Sequence, residues 1–214
     1  MILFLYGASG AAIEVYDLAK RINRYSKIVL IDDYKEECKY YDTDRIHFDS
    51  SERYAAGEQF EFAVAVGEPS SRKLLYDRII SKGYKLATLI DKTAIICDSA
   101  IIRQGCVINA GTIVSSNVTL EENCMILYHA VIGHDAHVKK HTVICPKATV
   151  GGGSTVGEKC FLGLNSSMMQ GVNIGDEAIV GMGTMAFRDV RSGATVIGNP
   201  ARETKGNMEH KVFA

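Results

Sequence analysis

The sequence contains no tryptophan, only three prolines among 214 residues, and six cysteines of which no two form a CxxC pair. Without paired thiols the usual spacing of a zinc site or a dithiol redox centre is missing. The single cysteines, spread from Cys38 to Cys160, read as reduced, buried side chains rather than as a disulfide framework. An excess of charge is also absent: 24 basic and 25 acidic residues leave a formal net charge of −1. That balance offers no electrostatic footprint to nucleic acid or to an anionic membrane. No apolar run approaches the roughly eighteen residues that a membrane helix needs. The apolar start Met1-Ile2-Leu3-Phe4-Leu5-Tyr6 has no basic stretch before it and runs into Gly7-Ala8-Ser9-Gly10, so it reads as a buried strand rather than a signal peptide. The expected compartment is the cytoplasm.

What the sequence does have is a period of six. From Ile90 every sixth residue is aliphatic: Ile96, Ile102, Ile108, Val114, Leu120, Ile126, Ile132, Val138, Ile144, Val150, Val156, Leu162, Met168, Ile174, Val180 and, at the end, Ala186. Two residues before each stands a small or β-branched side chain, among them Ala100, Cys106, Thr112, Cys124, Thr142 and Cys160. Such a period fits neither a 3.6-residue helix nor a two-residue strand. It predicts a parallel β-helix, in which three hexads make one triangular coil, the aliphatic residue points inward and the small residue fills the corner beside it. Stacking at about 4.8 Å lets neighbouring coils satisfy each other's backbone groups. The aligned ladders supply burial at roughly 25 cal/mol per Å². A β-sandwich of short strands would need hairpin turns and loops of varied length, and it predicts no strict six-residue phase.

Ahead of the repeat, the pattern predicts a strand over residues 2–6, a tight turn, a helix over 11–21, a second strand over 28–31 ending at Asp32-Asp33, and a third over 60–66 ending at Gly67. A helix capped by Ser70 then runs to Gly83. This is a small Rossmann-like parallel βαβ domain over residues 1–85, followed by a β-helix domain over 86–214. Ligands of such sheets bind beyond the carboxyl ends of the strands, where the Gly7-Ala8-Ser9-Gly10 turn, Asp32, Asp33 and Gly67 converge. Glycine next to a helix start suits a nucleotide phosphate, but GASG is not the full GxGxxG fingerprint, and a plain strand-turn-helix needs glycine too.

Six histidines are present, and four of them, His129, His134, His137 and His141, fall within one short stretch of the repeat. In the hexad frame His134 is the second residue after inward Ile132, at a turn, with Asp135 next to it. One 18-residue coil further on lies Gly152, within Gly151-Gly152-Gly153, which predicts an open groove beside the imidazole. A neutral imidazole with a pKa near the usual ~6.5 can take a proton from an attacking amine or hydroxyl, and a neighbouring carboxylate orients the ring. The alternative is a solvated corner histidine, and His129, His137 and His141 read that way.

Taken together, Tyr6-Gly7-Ala8-Ser9-Gly10, Leu30-Ile31-Asp32-Asp33, Ala65-Val66-Gly67, His134-Asp135 and Val196-Ile197-Gly198-Asn199-Pro200-Ala201 resemble the sialic-acid O-acetyltransferase and nucleotide-amino-sugar N-acetyltransferase family of bacterial glycan biosynthesis. The resemblance implies a left-handed β-helix, a homotrimer with active sites between subunits, and acetyl-CoA as co-substrate with no metal. It makes His134 the general base and Asp135 its modulator. Ser9, Gly10, Ala11, Asp32, Asp33 and Gly67 become the nucleotide-sugar pocket, and Val143, Gly152, Leu164, Gly181 and Met182 line the coenzyme. The sequence departs from the family at two of these positions: members commonly carry histidine where Ala11 stands, and many carry another where Val143 stands.

The implied reaction is N-acetylation of a UDP- or dTDP-linked amino sugar, such as a 4-amino-4,6-dideoxy sugar, for a surface glycan. O-acetylation of sialic acid or another sugar is the alternative, although free sialic acid would leave the nucleotide pocket unused. Two further classes differ in kind. A zinc hydratase on the same fold would use His129 and His134, but needs a third histidine from an earlier coil, and none occurs between His47 and His129. A scaffold that binds nucleotide sugar without transferring acetyl would explain Ala11 and Val143.

Overall fold

A computed structural model describes residues 1–8, 10–34, 43–204 and 211–212; Ser9 and Cys38 lie outside the described residues. The N-terminal part is a parallel sheet of β1 (Ile2–Tyr6), β2 (Lys27–Ile31), β3 (Arg45–Ile46) and β4 (Phe60–Val64), in the order β3-β2-β1-β4. Helix α1 (Gly10–Ile22) joins β1 to β2, α2 (Ser51–Ala55) precedes β4, and α3 (Pro69–Ser81) follows it. Every residue of β1 is buried because both faces of the sheet are covered. Leu3 and Leu5 pack with Val15 and Leu18 of α1, whereas Phe4 and Tyr6 pack with an aromatic cluster of Phe48, Phe62 and Tyr84.

The local expectations hold with two corrections. The last helix begins at Pro69 rather than behind a Ser70 cap; Glu68 is the residue before it and makes no side-chain cap bond. Proline suits that first position because its missing N–H would have no partner there. The third strand stops at Val64, two residues early, and the chain then crosses close over the first turn. A Cβ on Gly7, whose φ is +123°, would lie 2.8 Å from the Ala65 carbonyl oxygen. Gly7 is therefore required by this crossing and by its own backbone.

From Leu89 onward the chain winds as a triangular coil of two-residue strands that pair in parallel with an 18-residue step, as in Val107↔Met125↔Val143↔Phe161. Its three faces are a first sheet beginning at Leu89–Ile90, a second at Ile95–Ile96 and a third at Ile101–Ile102. The predicted inward ladder is buried throughout its middle, from Ile108 to Val156. Every sixth residue from Gly105 to Gly183 has a positive φ, so each corner turns through one left-handed residue, among them Asn117, Asn123, His129, Asp135 and His141. Glycine, asparagine, aspartate and histidine are the residues that tolerate this conformation best.

The small corner residues do more than fit. Thr112, Thr142 and Ser154 each donate a hydroxyl to the carbonyl fifteen residues on, at 3.1, 2.7 and 3.2 Å, and the thiols of Cys106, Cys124 and Cys160 do the same at 3.1, 3.1 and 3.0 Å. Burial pushes the Cys160 thiol up to about 12, so it stays a donor. The five described cysteines are all free thiols. Two pairings shortened from 18 to 16 residues, Ile174↔Val190 and Val180↔Val196, close the coil and end the six-residue phase at Ala186.

The N-terminal part lies against the first sheet, whose outward residues Leu89, Val107, Met125 and Val143 join the core of α1 and its sheet. Arg21 and Arg72 supply polar ties across this seam. Arg21 meets the buried Asp91 carboxylate at 2.7 Å. Arg72, fully buried on α3, donates to the Val64 and Val66 carbonyls at 3.0 and 2.9 Å, to the Asn123 carbonyl at 2.8 Å and to Asn123 Oδ1 at 2.8 Å.

Candidate active site

His134 leaves the prism at the corner between the second and third sheets, just before the left-handed residue Asp135. Its Nδ1 lies 2.7 Å from Asp135 Oδ2, and more than half of each side chain is exposed. The ring reaches forward over the next coil: a Cβ on Gly152 would lie 2.6 Å from His134 Nε2 and 2.8 Å from Cε1. The groove expected beside the imidazole is thus occupied by the imidazole itself. Gly152 is glycine because the ring rests on it. The hydrogen bond from His134, followed by one from Asn117, holds the Asp135 carboxyl below the usual range, so Asp135 is a carboxylate whenever the ring is neutral. That pairing puts the proton on Nδ1 and leaves Nε2 as the acceptor.

The other three histidines are spent elsewhere. The His129 ring folds back over Gly111, one coil before it, where a Cβ would lie 2.4 Å from Nδ1. His129 and His134 therefore point to opposite neighbours, and among the described residues no group of three or more metal-ligating side chains is assembled. His137 Nε2 meets Glu121 at 2.8 Å. His141 is buried against Asn123 and Tyr76. Burial, then the charges of Arg72 and Lys73, pushes it down to about 4.

Beyond the carboxyl ends of β1 and β2 lies a cavity of about 450 Å³ lined by Gly7, Ala8, Asp32, Asp33 and Tyr34, with Leu74, Leu75 and Arg78 contributed by α3. Asp33 is a wall rather than a free ligand. Its Oδ2 takes both Tyr6 Oη and Arg78 at 2.5 Å, and its Oδ1 takes the Phe48 N–H at 2.9 Å. Burial pushes this carboxyl up, but the hydrogen bonds from Tyr6 and Phe48 and the Arg78 charge outweigh it and hold it low. Asp32 Oδ1 accepts the Tyr34 N–H at 2.9 Å. Gly10 opens α1 with nothing within 4 Å of where a Cβ would stand. Gly10, Ala11 and Gly67 are not part of the cavity wall, and Ala11 packs partly buried at the seam.

The five residues expected around the coenzyme fall in three places. Gly152 is on the His134 corner. Leu164, Gly181 and Met182 are on the corner between the first and second sheets, with Leu164 and Met182 exposed. Val143 is 1% exposed beneath α1, within the same core cluster that Ala11 packs against, so the two departures from the family pattern meet in one apolar seam. Sequence reasoning missed what continues the His134 corner: at 18-residue steps Gly152 leads to Gln170 and Arg188. Arg188 lines, with Phe187, Arg191, Ala201 and Arg202, a cavity of about 540 Å³ at the end of the coil. No described helix is long and apolar enough to cross a membrane.

Comparison with known proteins matches residues 2–79 to the PglD N-terminal domain and residues 153–185 to the hexapeptide repeat of succinyl-transferase. The coil is accordingly the left-handed parallel β-helix of hexapeptide proteins. Among solved structures, the acetyltransferase domain of PglB from Neisseria gonorrhoeae FA1090 in complex with acetyl coenzyme A is 29% identical, covers 95% of this chain and 98% of its own, and superposes with a TM-score of 0.89. PerB from Caulobacter crescentus in complex with CoA and GDP-perosamine is 24% identical over 96% of this chain and 98% of its own, with a TM-score of 0.85. WeeI from Acinetobacter baumannii AYE is 23% identical over 95% and 100%, with a TM-score of 0.87. At such identities the last two share the fold.

Proposed function

Because this chain belongs to the NeuD/PglD-type family of sugar acetyltransferases, we propose that it transfers acetyl from acetyl-CoA to the amine of a nucleotide-linked amino sugar, with His134 as general base. The observation that carries this reading is the posture of the ring: Nδ1 anchored on Asp135 at 2.7 Å and Nε2 carried out over Gly152. The acceptor nitrogen forms a bond to the thioester carbonyl carbon, His134 Nε2 takes the proton that nitrogen sheds, and the C–S bond breaks. The imidazolium then returns the proton to the departing thiolate, so the ring ends as it began. A backbone N–H lining the site stabilises the developing oxyanion.

Residues 1–85 serve as the nucleotide-sugar-recognising domain and residues 86–214 as the transferring domain. The cavity of Gly7, Asp32, Tyr34, Leu74 and Arg78 takes the nucleotide, UDP or dTDP, with a planar base against Leu74 and Tyr34 and with the phosphates toward Gly10 at the start of α1. The sugar is a 4-amino-4,6-dideoxy sugar destined for a surface glycan, and the reaction takes place in the cytoplasm. The coenzyme follows the His134 corner. Three coil steps of about 4.8 Å separate His134 from Arg188, so roughly 14 Å of track runs past Gly152 toward a cavity of mixed charge, where Arg191 is paired with Glu203 and Arg188 and Arg202 are the side chains suited to the coenzyme's phosphates.

Leu164, Gly181 and Met182 reach the same coenzyme only from a neighbouring copy, since the second sheet separates the two corners. This supports a homotrimer with sites between protomers, as do the exposed apolar residues Ile95, Ile113 and Ile101 on the two uncovered sheets. Sedimentation of the purified chain tests that assembly.

The decisive assay is thiol release from acetyl-CoA with UDP- and dTDP-linked 4-amino-4,6-dideoxy sugars. Wild type turns over with at least one of them, and His134→Ala loses about two to four orders of magnitude in kcat. Near-wild-type turnover in His134→Ala refutes the assignment. Turnover with sialic acid but none with the amino sugars would favour O-acetylation instead.

A further inference from the structure

The geometry points to Asn117 as a positioning residue for the base, an inference that rests on His134 being that base. Asn117 stands one coil before Asp135 on the same corner, and its Nδ2 donates to Asp135 Oδ1 at 3.0 Å while Asp135 Oδ2 holds His134 Nδ1 at 2.7 Å. The carboxylate is thus gripped from both ends. Asn117 is itself tied back, since its backbone N–H donates to Ser99 Oγ at 2.9 Å, one coil earlier still. Ser99, Asn117 and Asp135 are spaced by 18 residues, so the coil repeat aligns the supports of the ring behind it.

An exposed aspartate needs such a grip. The Asp135 side chain is 55% exposed, so water competes for both oxygens and the short side chain has more than one rotamer open to it. A donor fixed on Oδ1 selects the rotamer that presents Oδ2 to the imidazole. Because the donor is a neutral amide, it orients the carboxylate without cancelling the charge that stabilises the imidazolium. A lysine in its place would neutralise that charge.

Asn117 also has a backbone duty, since its φ is +58°, and the turn alone would be a reason for asparagine. The two roles separate cleanly. Asn117→Gly keeps the left-handed turn without strain and removes only the amide. Asn117→Asp keeps the turn and sets a second carboxylate against Asp135. If Asn117 positions the base, Asn117→Gly lowers kcat roughly tenfold and leaves KM within about twofold, with Tm unchanged.

Asn117→Asp should fall further. The acid limb of its kcat–pH profile should move to higher pH, because the added negative charge favours the imidazolium. Asn117→Gly added to Asp135→Ala should cost nothing beyond Asp135→Ala alone, as for two residues acting through one contact.

The measurement is thiol release from acetyl-CoA with the UDP- or dTDP-linked 4-amino-4,6-dideoxy sugar that wild type accepts. Wild-type kcat and an unmoved pH profile in both Asn117 variants, alongside an inactive His134→Ala, overturn the positioning role and leave the base assignment standing. If His134→Ala keeps its turnover, the two ideas fall together.

Discussion

His134 and His141 occupy successive corners of one coil, seven residues apart, and the same imidazole is put to opposite uses. At the outer corner His134 is more than half exposed and has a carboxylate on one nitrogen. At the seam His141 is 2% exposed, receives the Asn123 amide on Nδ1, and faces the cations Arg72, Lys73 and Lys140 with Asp77 as the opposing charge. The coil repeat places both rings, but it does not decide their chemistry. What lies against each corner does: solvent and a carboxylate in one case, a buried guanidinium from α3 in the other. Changes at the seam should therefore be read in stability, and changes at the outer corner in rate.

The harshest way to break the contrast is to remove Arg72. Its guanidinium has no carboxylate partner among the described residues and is satisfied by backbone carbonyls and Asn123. Burial brings it down to about 10, so it remains charged at neutral pH. Arg72→Ala strands the carbonyls of Val64, Val66 and Asn123 in a dry seam, with an expected loss of about 3–5 kcal/mol of stability. Urea denaturation measures it, and a loss under about 1 kcal/mol would mean that the seam does not depend on this tie.

His141 comes next, and its effect has a sign set by pH. The folded ring titrates at about 4, below the roughly 6.5 expected of an unfolded histidine. Between those values the unfolded chain binds a proton that the folded chain refuses. Stability from this group is whole above the upper value and falls with pH down to the lower one, by up to about 3 kcal/mol. His141→Asn keeps a residue tolerant of the left-handed corner and should flatten this dependence between pH 7.5 and 4. A variant that still loses stability as wild type does would assign the acid sensitivity elsewhere.

Much of this contrast was open to reading in the amino acids. The inward ladder announces the prism because each aliphatic residue answers only to its own hexad. The covered sheet is also readable, since its outward positions Leu89, Val107, Met125, Val143, Phe161 and Ile179 are all apolar, while those of the third sheet run Ile101, Thr119, His137, Thr155 and Asn173. His134 next to Asp135 stands out for the same reason, being local. Arg72 was not readable. Its partners are carbonyls, which every residue has, and Asn123 lies 51 positions away. Asn117 lay within reach by one coil step back from Asp135. The error at Gly152 came from treating a missing side chain as empty space.

That error supplies the mildest test in stability and the most informative in rate. A Cβ at Gly152 would sit 2.6 to 2.9 Å from Nε2, Cε1 and Cδ2 of His134, its three nearest atoms. The obstructed atoms are the far end of an exposed side chain, which can swing aside, so Gly152→Ala should shift stability by less than about 0.5 kcal/mol. The swing moves Nε2, the atom that must meet the acceptor's proton, and a displacement near 1 Å costs on the order of 10²-fold. Thermal melting beside kcat gives both readings from one preparation. A large loss of kcat with an unchanged Tm places the working surface of the molecule on this corner. An active Gly152→Ala enzyme would mean that the ring does its chemistry from another rotamer than the one resting on the glycine.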